Sequence, residues 1–400
     1  MKQIVIYISL ALLVNSAAIS QKIKLSNTDL IKLDFKTLAE KKTLLKANDA
    51  GLQAAYAELI NNANKLLNYQ PVTVMDKKDL PPSGNKHDYM SIAPYWWPNP
   101  ATNNGLPYIR KDGEVNPEVR NYSDKENMPK LCENVYNLSL AYYFSDDEKY
   151  AEHASKLLRV WFLDSATKMN PNLNYGQAIK GVTDGRGAGV IDTRQFIFAL
   201  DGVALLQNSK SWTNKDNTAL KSWFTEYLNW LNTSKIGKDE MNAKNNHGVW
   251  FDAQTLAIAQ YVDSTKMANK IVQRAADRLA KQTDANNLFP YELERTTSLH
   301  YSVFIMNAFN IIAVLSENTN TNFWSLETSN GKSFKKCLNA IVPYITKEKQ
   351  WTYPEIKPFQ NKDAYPLLLR SGLQFQYSKY LEFIQADAKE NANKQLLNLL

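Results

Sequence analysis

A ring or solenoid of paired helices is the fold class this 400-residue sequence predicts, and three observations predict it. Apolar residues recur with a period near 3.6 through segment after segment from about residue 36 onward. Strand-like alternation is scarce and short. The rhythm of helix, loop, helix continues for more than 300 residues without an exact repeat. A chain of one-sided helices must bury each apolar stripe against another helix, and a closed ring or a solenoid does so. A ring also leaves a central cleft lined by the loops at one end.

The clearest helix runs from Asp146 to Asp164. Its two aspartates offer a cap, and Tyr150, Ala151, Ala154, Leu157, Leu158, Trp161 and Phe162 share one stripe. Ala268, Ile271, Val272, Ala275 and Leu279 repeat the pattern. Further helices are expected near 36–68, 129–144, 192–207, 215–232, 249–262, 297–316, 331–346 and 371–384. Between them lie three long irregular stretches. The first, Pro71 to about Met128, is too rich in proline for long helices, yet Tyr89, Tyr95, Trp96, Trp97 and Tyr108 argue against disorder. The second, Asn170 to Gly189, carries Gln177 and the Gly185-Arg186-Gly187 run, which reads as a tight turn with an exposed arginine. The third, Trp351 to Pro366, is again rich in proline and aromatics.

Composition sets the outer limits. Apolar content of 44% and charged content of 22% are ordinary globular values. At roughly 150 residues per domain the length allows two or three domains or one large helical array; the reading adopted is a leader at 1–20 and one domain over 21–400. The leader is read from Lys2, the apolar run Ile4 to Val14, and the small residues Ser16 to Ser20. It implies an exported, periplasmic protein. It is too short to span a bilayer, and no lipidation cysteine follows it, so membrane insertion is not expected. Cys132 and Cys337 are compatible with a disulfide or with two buried thiols. The net charge of +7 suits an anionic partner, and the absence of a basic run excludes a nucleic-acid tail. With 21 Tyr and 9 Trp, the chain has the aromatic walls on which sugar rings stack.

Three stretches are candidates for chemistry. Asn245-Asn246-His247-Gly248-Val249-Trp250 precedes an apolar helical run and holds one of only four histidines; taken alone it reads as a turn with an asparagine cap. Ser91-Ile92-Ala93-Pro94-Tyr95-Trp96-Trp97-Pro98 is either a hydrophobic plug or a sugar-stacking wall. In the third, Arg295 and Tyr301 lie six apart, about 240° around a continuous helix. They converge only if Arg295 precedes the helix and Tyr301 sits in its first turns, with Thr296 or Thr297 as cap; otherwise Arg295 pairs with Glu292.

Together these motifs, with Tyr108-Ile109-Arg110-Lys111-Asp112-Gly113 and Asn116-Pro117-Glu118, resemble the alginate lyase domain over roughly residues 70 to 370. This is the helical-toroid group that contains the family 5 and family 38 polysaccharide lyases. The resemblance implies an all-α fold, an (α/α) toroid or incomplete helical barrel with long aromatic and proline-rich loops. It implies Asn246, His247 and Arg295 as ligands of a uronate carboxylate and Tyr301 as the residue acting at the scissile bond. The six-residue Arg–Tyr spacing, against seven in family 5, favours the family 38 side, whose members cleave alginate or glucuronan.

The residue types suit β-elimination. Removing the C5 proton of a uronate adds negative charge beside its carboxylate, so fixed donors around that carboxylate are the largest catalytic requirement. An Asn amide, a His N–H and an Arg fork supply them. A tyrosine beside Arg295 is expected to have its pKa lowered and to serve as base, then as acid to the leaving oxygen. In β-mannuronate and β-glucuronate the C5 proton and O4 lie on one side, so one tyrosine serves both roles. In guluronate they lie on opposite sides, and His247 is the second group. Tyr95, Trp96, Trp97, Gln177 and Arg186 are the expected substrate subsites. No metal or other cofactor is required. Two competing readings are a toroidal glycoside hydrolase using Glu292 or Glu294 with Asp184 or Asp192, and a non-catalytic glycan-binding protein.

Overall fold

The structure, a computed structural model, describes residues 35–390, so the expected leader lies outside the described residues. Two helices open the chain, α1 (Phe35–Lys46) and α2 (Ala50–Leu66). The single helix expected over 36–68 is broken between them because Asn48 takes a left-handed conformation (φ 59°) and the Asp49 carboxylate caps the second helix at Leu52 N–H, 3.0 Å away. After a long loop come α3 (Ser123–Ser145), α4 (Glu148–Leu158), α5 (Phe196–Leu205), α6 (Asn214–Thr233), α7 (Lys235–Met241), α8 (Asn246–Tyr261) and α9 (Thr265–Gln282). The short α10 (Pro290–Leu293), α11 (Ser298–Ser316), α12 (Phe334–Ile345), α13 (Tyr365–Phe375) and α14 (Ser378–Glu390) complete the described chain. The helix expected over 371–384 is in fact two, because Gln376 turns left-handed (φ 57°) and ends α13.

Helices α3, α5, α8, α11 and α13 pack in that order as an inner row, while α4, α9, α12 and α14 lie outside, each against its inner neighbour. Between α13 and α3 there is no comparable packing, and Arg370 and Tyr136 line the cavity there, so the toroid is incomplete. The two layers differ as their positions require. Inner helices α5, α8 and α11 are buried nearly all round. Outer helix α9 buries only Ala268, Ile271, Val272, Ala275, Ala276, Leu279 and Gln282, one stripe. By length and composition α11 could cross a membrane, but 83% of its most apolar window is buried inside the ring, so its apolarity is that of a core helix.

Two ionic ties join neighbouring helices. Asp252 of α8, fully buried, accepts from Arg274 at 2.7 Å and Arg278 at 2.6 Å, both on α9. Arg159, in the π-helical turn after α4, grips Asp216 of α6 at 2.9 and 2.7 Å. Asp216 also closes a capping box with Thr213. The Arg159 fork and the Thr213 donors hold its carboxyl well below the usual range. A carboxylate so depressed stabilises the fold above its unfolded value, near pH 4, and the stabilisation is lost as the pH falls below that. Asp216→Asn is therefore expected to lower the urea midpoint at pH 7, with the gap to wild type narrowing progressively below about pH 4. An equal gap at pH 7 and pH 3 would contradict this assignment.

Cys132 and Cys337 are buried in α3 and α12, and no disulfide joins them. The irregular stretches converge on one end of the ring and are stitched by two small sheets. Met90–Ile92 pairs in parallel with Tyr175–Ala178, and Trp96–Trp97 pairs antiparallel with Ile109–Arg110. Beneath them Asp192 is fully enclosed, accepting from Tyr89 at 3.1 Å, Ser91 at 2.8 Å, Gln177 Nε2 at 3.1 Å and the Lys125 ammonium. One buried carboxylate thus pins two loops to the helical ring.

Candidate active site

The ring encloses a cleft of about 990 Å³. Its charged lining is Arg110, Lys125, Arg186, Arg194, Arg295 and Arg370 against Asp192, Glu240 and Asp363, so the cleft is cationic.

Asn245 caps α8, its Oδ1 accepting from His247 N–H at 3.2 Å, as the local sequence implies. The cap places Asn246 and His247 in the first turn, both lining the cleft. His247 Nδ1 lies 2.7 Å from Oε1 of the buried Glu240, which orients the ring. Asn246 is fully buried; its backbone N–H and Nδ2 donate to the two oxygens of Glu292 at 2.6 and 2.8 Å.

Arg295 precedes α11 and Tyr301 lies in its first turn, the arrangement required for them to meet. The guanidinium sits 3.6 Å from the centre of the Tyr301 ring. It does not pair with Glu292. Its Nε and Nη2 form a fork on Asp112 at 3.0 and 2.8 Å, and that carboxyl is held below its usual range. Thr297 occupies the cap position of α11 without a side-chain bond, and Glu355 from the third loop accepts from Leu299 N–H at 2.8 Å instead. Tyr301 Oη is 2.8 Å from Tyr95 Oη. The expected lowering of the Tyr301 pKa is overturned. Burial, reinforced by Tyr95, pushes the phenol well above its ordinary value, and the opposing effect of Arg295 does not offset this.

The remaining expected residues divide. Tyr95, Trp96, Gln177 and Arg186 line the cleft, whereas Trp97 is not among its lining residues. Successive strand residues face opposite ways: Trp97 donates to Glu114 O at 3.0 Å and carries Lys111 over its ring at 5.1 Å. Trp96→Ala is expected to raise KM roughly 2- to 10-fold, the worth of one aromatic stacking contact, with Trp97→Ala changing it less; the reverse order would place the wall on the other face. Gln177 adopts a left-handed conformation (φ 49°), uncommon outside glycine and frequent at functional sites. Its Oε1 accepts from Arg186 Nη2 at 2.9 Å. Arg186 is not the exposed tip of a turn. It is half-buried, and the glycines beside it serve close packing: a Cβ on Gly185 would lie 1.9 Å from Asn174 O, and one on Gly189 would lie 2.3 Å from Gly176 O.

The family model for alginate lyase matches residues 73–351. The chain belongs to the alginate lyase family. It is a polysaccharide lyase, and its architecture agrees with solved structures. An alginate lyase from Bacteroides ovatus shares 37% identity with a TM-score of 0.85, over 91% of this chain and 96% of that one. A variant of alginate lyase A1-III, complexed with a tetrasaccharide, matches at a TM-score of 0.53 and 15% identity over 83% of this chain and 90% of its own. Alginate lyase A1-III from Sphingomonas species A1 matches at 0.50 and 15%, over the same shares. These last two likenesses are of fold. No curated protein matches the chain.

The lyase carries one cleft residue that sequence reasoning passed over. Arg194 lines the cleft, lies over the rings of Trp250 (5.9 Å) and Phe304 (5.4 Å), and donates to Ile191 O at 3.0 Å. No carboxylate pairs with it among the described residues. Burial lowers its pKa, with Tyr301 among the groups opposing that, which places it near the phenol's field. In sequence it is an ordinary arginine within the helix expected over 192–207; the structure places it instead in the 3-10 turns of Gly187–Gln195 that precede α5, where it lines the cleft. The four carboxylates of the hydrolase reading fare otherwise. Asp184 and Glu294 are exposed, Glu292 is bonded to Asn246, and Asp192 is tied to four donors. Of the four, only Asp192 lines the cleft, and Lys125 leads the donors that hold it ionised against burial.

Proposed function

We propose that this lyase is exported and cleaves a β-1,4-linked polyuronate by β-elimination, acting first on the mannuronate-type linkages of alginate and next on glucuronan. The observation that carries the reading is the meeting of Tyr301, Tyr95 and Arg295 with His247 in a cationic cleft. Asn246, His247 and Arg295 neutralise the uronate carboxylate, helped by the charges of Arg186 and Arg194. The Asp112 fork uses the N–H of Nε and one N–H of Nη2, which leaves both N–H groups of Nη1 and the second of Nη2 to reach substrate. Tyr301 takes the C5 proton as O4 departs and returns a proton to that oxygen. Its raised pKa keeps the phenol protonated, so before the base step its proton must pass through Tyr95 Oη, 2.8 Å away, to water. Arg295 against the ring face stabilises the phenolate so formed, and the C5 proton it then takes is the one handed to O4.

The Glu240–His247 contact favours a second division of labour on guluronate. A histidine whose Nδ1–H donates to a buried carboxylate presents Nε2 as a base, with Tyr301 as acid on the opposite side. A panel of polymannuronate, polyguluronate and glucuronan, assayed for ultraviolet absorbance of the new C4–C5 double bond, tests both. Product from polymannuronate or glucuronan supports the first reading, and product from polyguluronate alone supports the second. New reducing ends without the double bond would refute elimination.

A further inference from the structure

The Asn246 side chain poses a problem that Glu292 resolves. With Nδ2 donating to Glu292 Oε2, the Asn246 Oδ1 is left buried with no hydrogen-bond partner. An ionised Glu292 enforces this orientation, since a carboxylate only accepts. Asn246 then offers the wrong atom to an anion: its amide donor faces Glu292 and its carbonyl is orphaned. Turning the amide over would aim Nδ2 away from Glu292, but Oδ1 would then face Oε2, which is tolerable only if that oxygen carries a proton.

Resting on the elimination reading above, we propose that Glu292 is a positioning residue that acts as a neutral carboxylic acid in the substrate complex. Its Oε2–H donates to Asn246 Oδ1, Oε1 keeps the backbone N–H of Asn246, and Nδ2 is released toward the uronate carboxylate. The proton comes from solvent, so one proton is taken up for each uronate seated at this subsite. The surroundings support the switch. Glu292 is fully buried, and burial raises its pKa. The groups that face it and oppose this rise are the two Asn246 donors, Arg295 beyond the end of α10 and His247 on α8. An arriving uronate carboxylate adds a like charge next to the Asn246 amide, which favours the neutral acid further.

The test uses Glu292→Gln, because a glutamine reproduces the protonated acid: Oε1 accepts the backbone N–H and Nε2 donates to Asn246 Oδ1. Glu292→Gln is expected to keep kcat/KM within about tenfold of wild type at acid pH and to lose part of the alkaline fall that wild type shows. Glu292→Ala should drop about 10² to 10³-fold, and Asn246→Ala is expected to do the same. A second measurement leaves Glu292 intact. Titration of the Tyr301→Phe variant with a β-1,4-linked oligomannuronate, by calorimetry in two buffers of different ionisation enthalpy, should show proton uptake near pH 8. The uptake should shrink when Glu292→Gln is added, whatever share His247 contributes. No uptake by Tyr301→Phe overturns the proposal, as does a folded Glu292→Gln enzyme as impaired as Glu292→Ala. A wild-type enzyme that forms no unsaturated product on any polyuronate sinks the elimination reading and this proposal with it. Turnover by wild type with no proton uptake sinks the proposal alone.

Discussion

Tyr301→Phe is expected to lower turnover about 10² to 10⁴-fold, the usual worth of general acid–base assistance. The fold should be unaffected. The phenyl ring keeps its place in the first turn of α11, its edge contacts with His300 and Phe304 and its face against Arg295. Only the hydroxyl is lost, and its partner Tyr95 Oη borders the cleft, where water can replace it. Kinetics by double-bond absorbance, with thermal melting as the control for folding, decide the matter. A variant with near-wild-type turnover would remove Tyr301 from the chemistry. The pH profile of the wild type adds a check with a defined sign. Burial raises this phenol above its usual value, so no loss of activity at mildly alkaline pH should trace to its ionisation.

Arg295→Lys is expected to cost about 10² to 10³-fold in kcat, or roughly 3–4 kcal/mol. A lysine keeps the charge but cannot form the fork on Asp112 while lying flat on the Tyr301 ring. The loss should appear mainly in kcat, because the charge matters most as the carbanion-like state develops. Asp112→Asn should reproduce part of it by loosening the guanidinium. If Arg295→Lys raises only KM, Arg295 binds substrate and transition state equally, and its role as a stabiliser of developing charge is wrong.

Much of the site is legible in the amino-acid sequence. The Asn245 cap follows from the local rule for asparagine at helix starts, and helical angles give the condition under which Arg295 and Tyr301 meet, a condition the structure fulfils with Arg295 ahead of α11. Other features depend on residues far apart in the chain. Asp112 holds Arg295 across 183 positions and Glu292 holds Asn246 across 46, while Glu240, only seven residues from His247, reaches it because the chain turns between α7 and α8. The sequence motif that contains Asp112 signals the family without saying what that aspartate touches. The Tyr301 pKa shows the same division. From the sequence, a neighbouring cation implies a lowered value; burial, which no local window reveals, reverses the sign.

By itself the sequence determined the class of fold and the residue types of the chemistry. The fold class rests on short-range physics, the 3.6-residue period, caps and proline's exclusion from helix interiors; the residue types of the chemistry rest on motifs that resemble those of the alginate lyase domain. Only the tertiary structure decided which carboxylates orient the site, that Arg194 and Arg186 face inward, and that Trp97 lies outside the cleft lining. The reason is physical. Orientation and protonation depend on what is buried against what, and in a ring those neighbours come from different helices and loops, from Glu240 seven residues before His247 to Asp112 183 residues before Arg295.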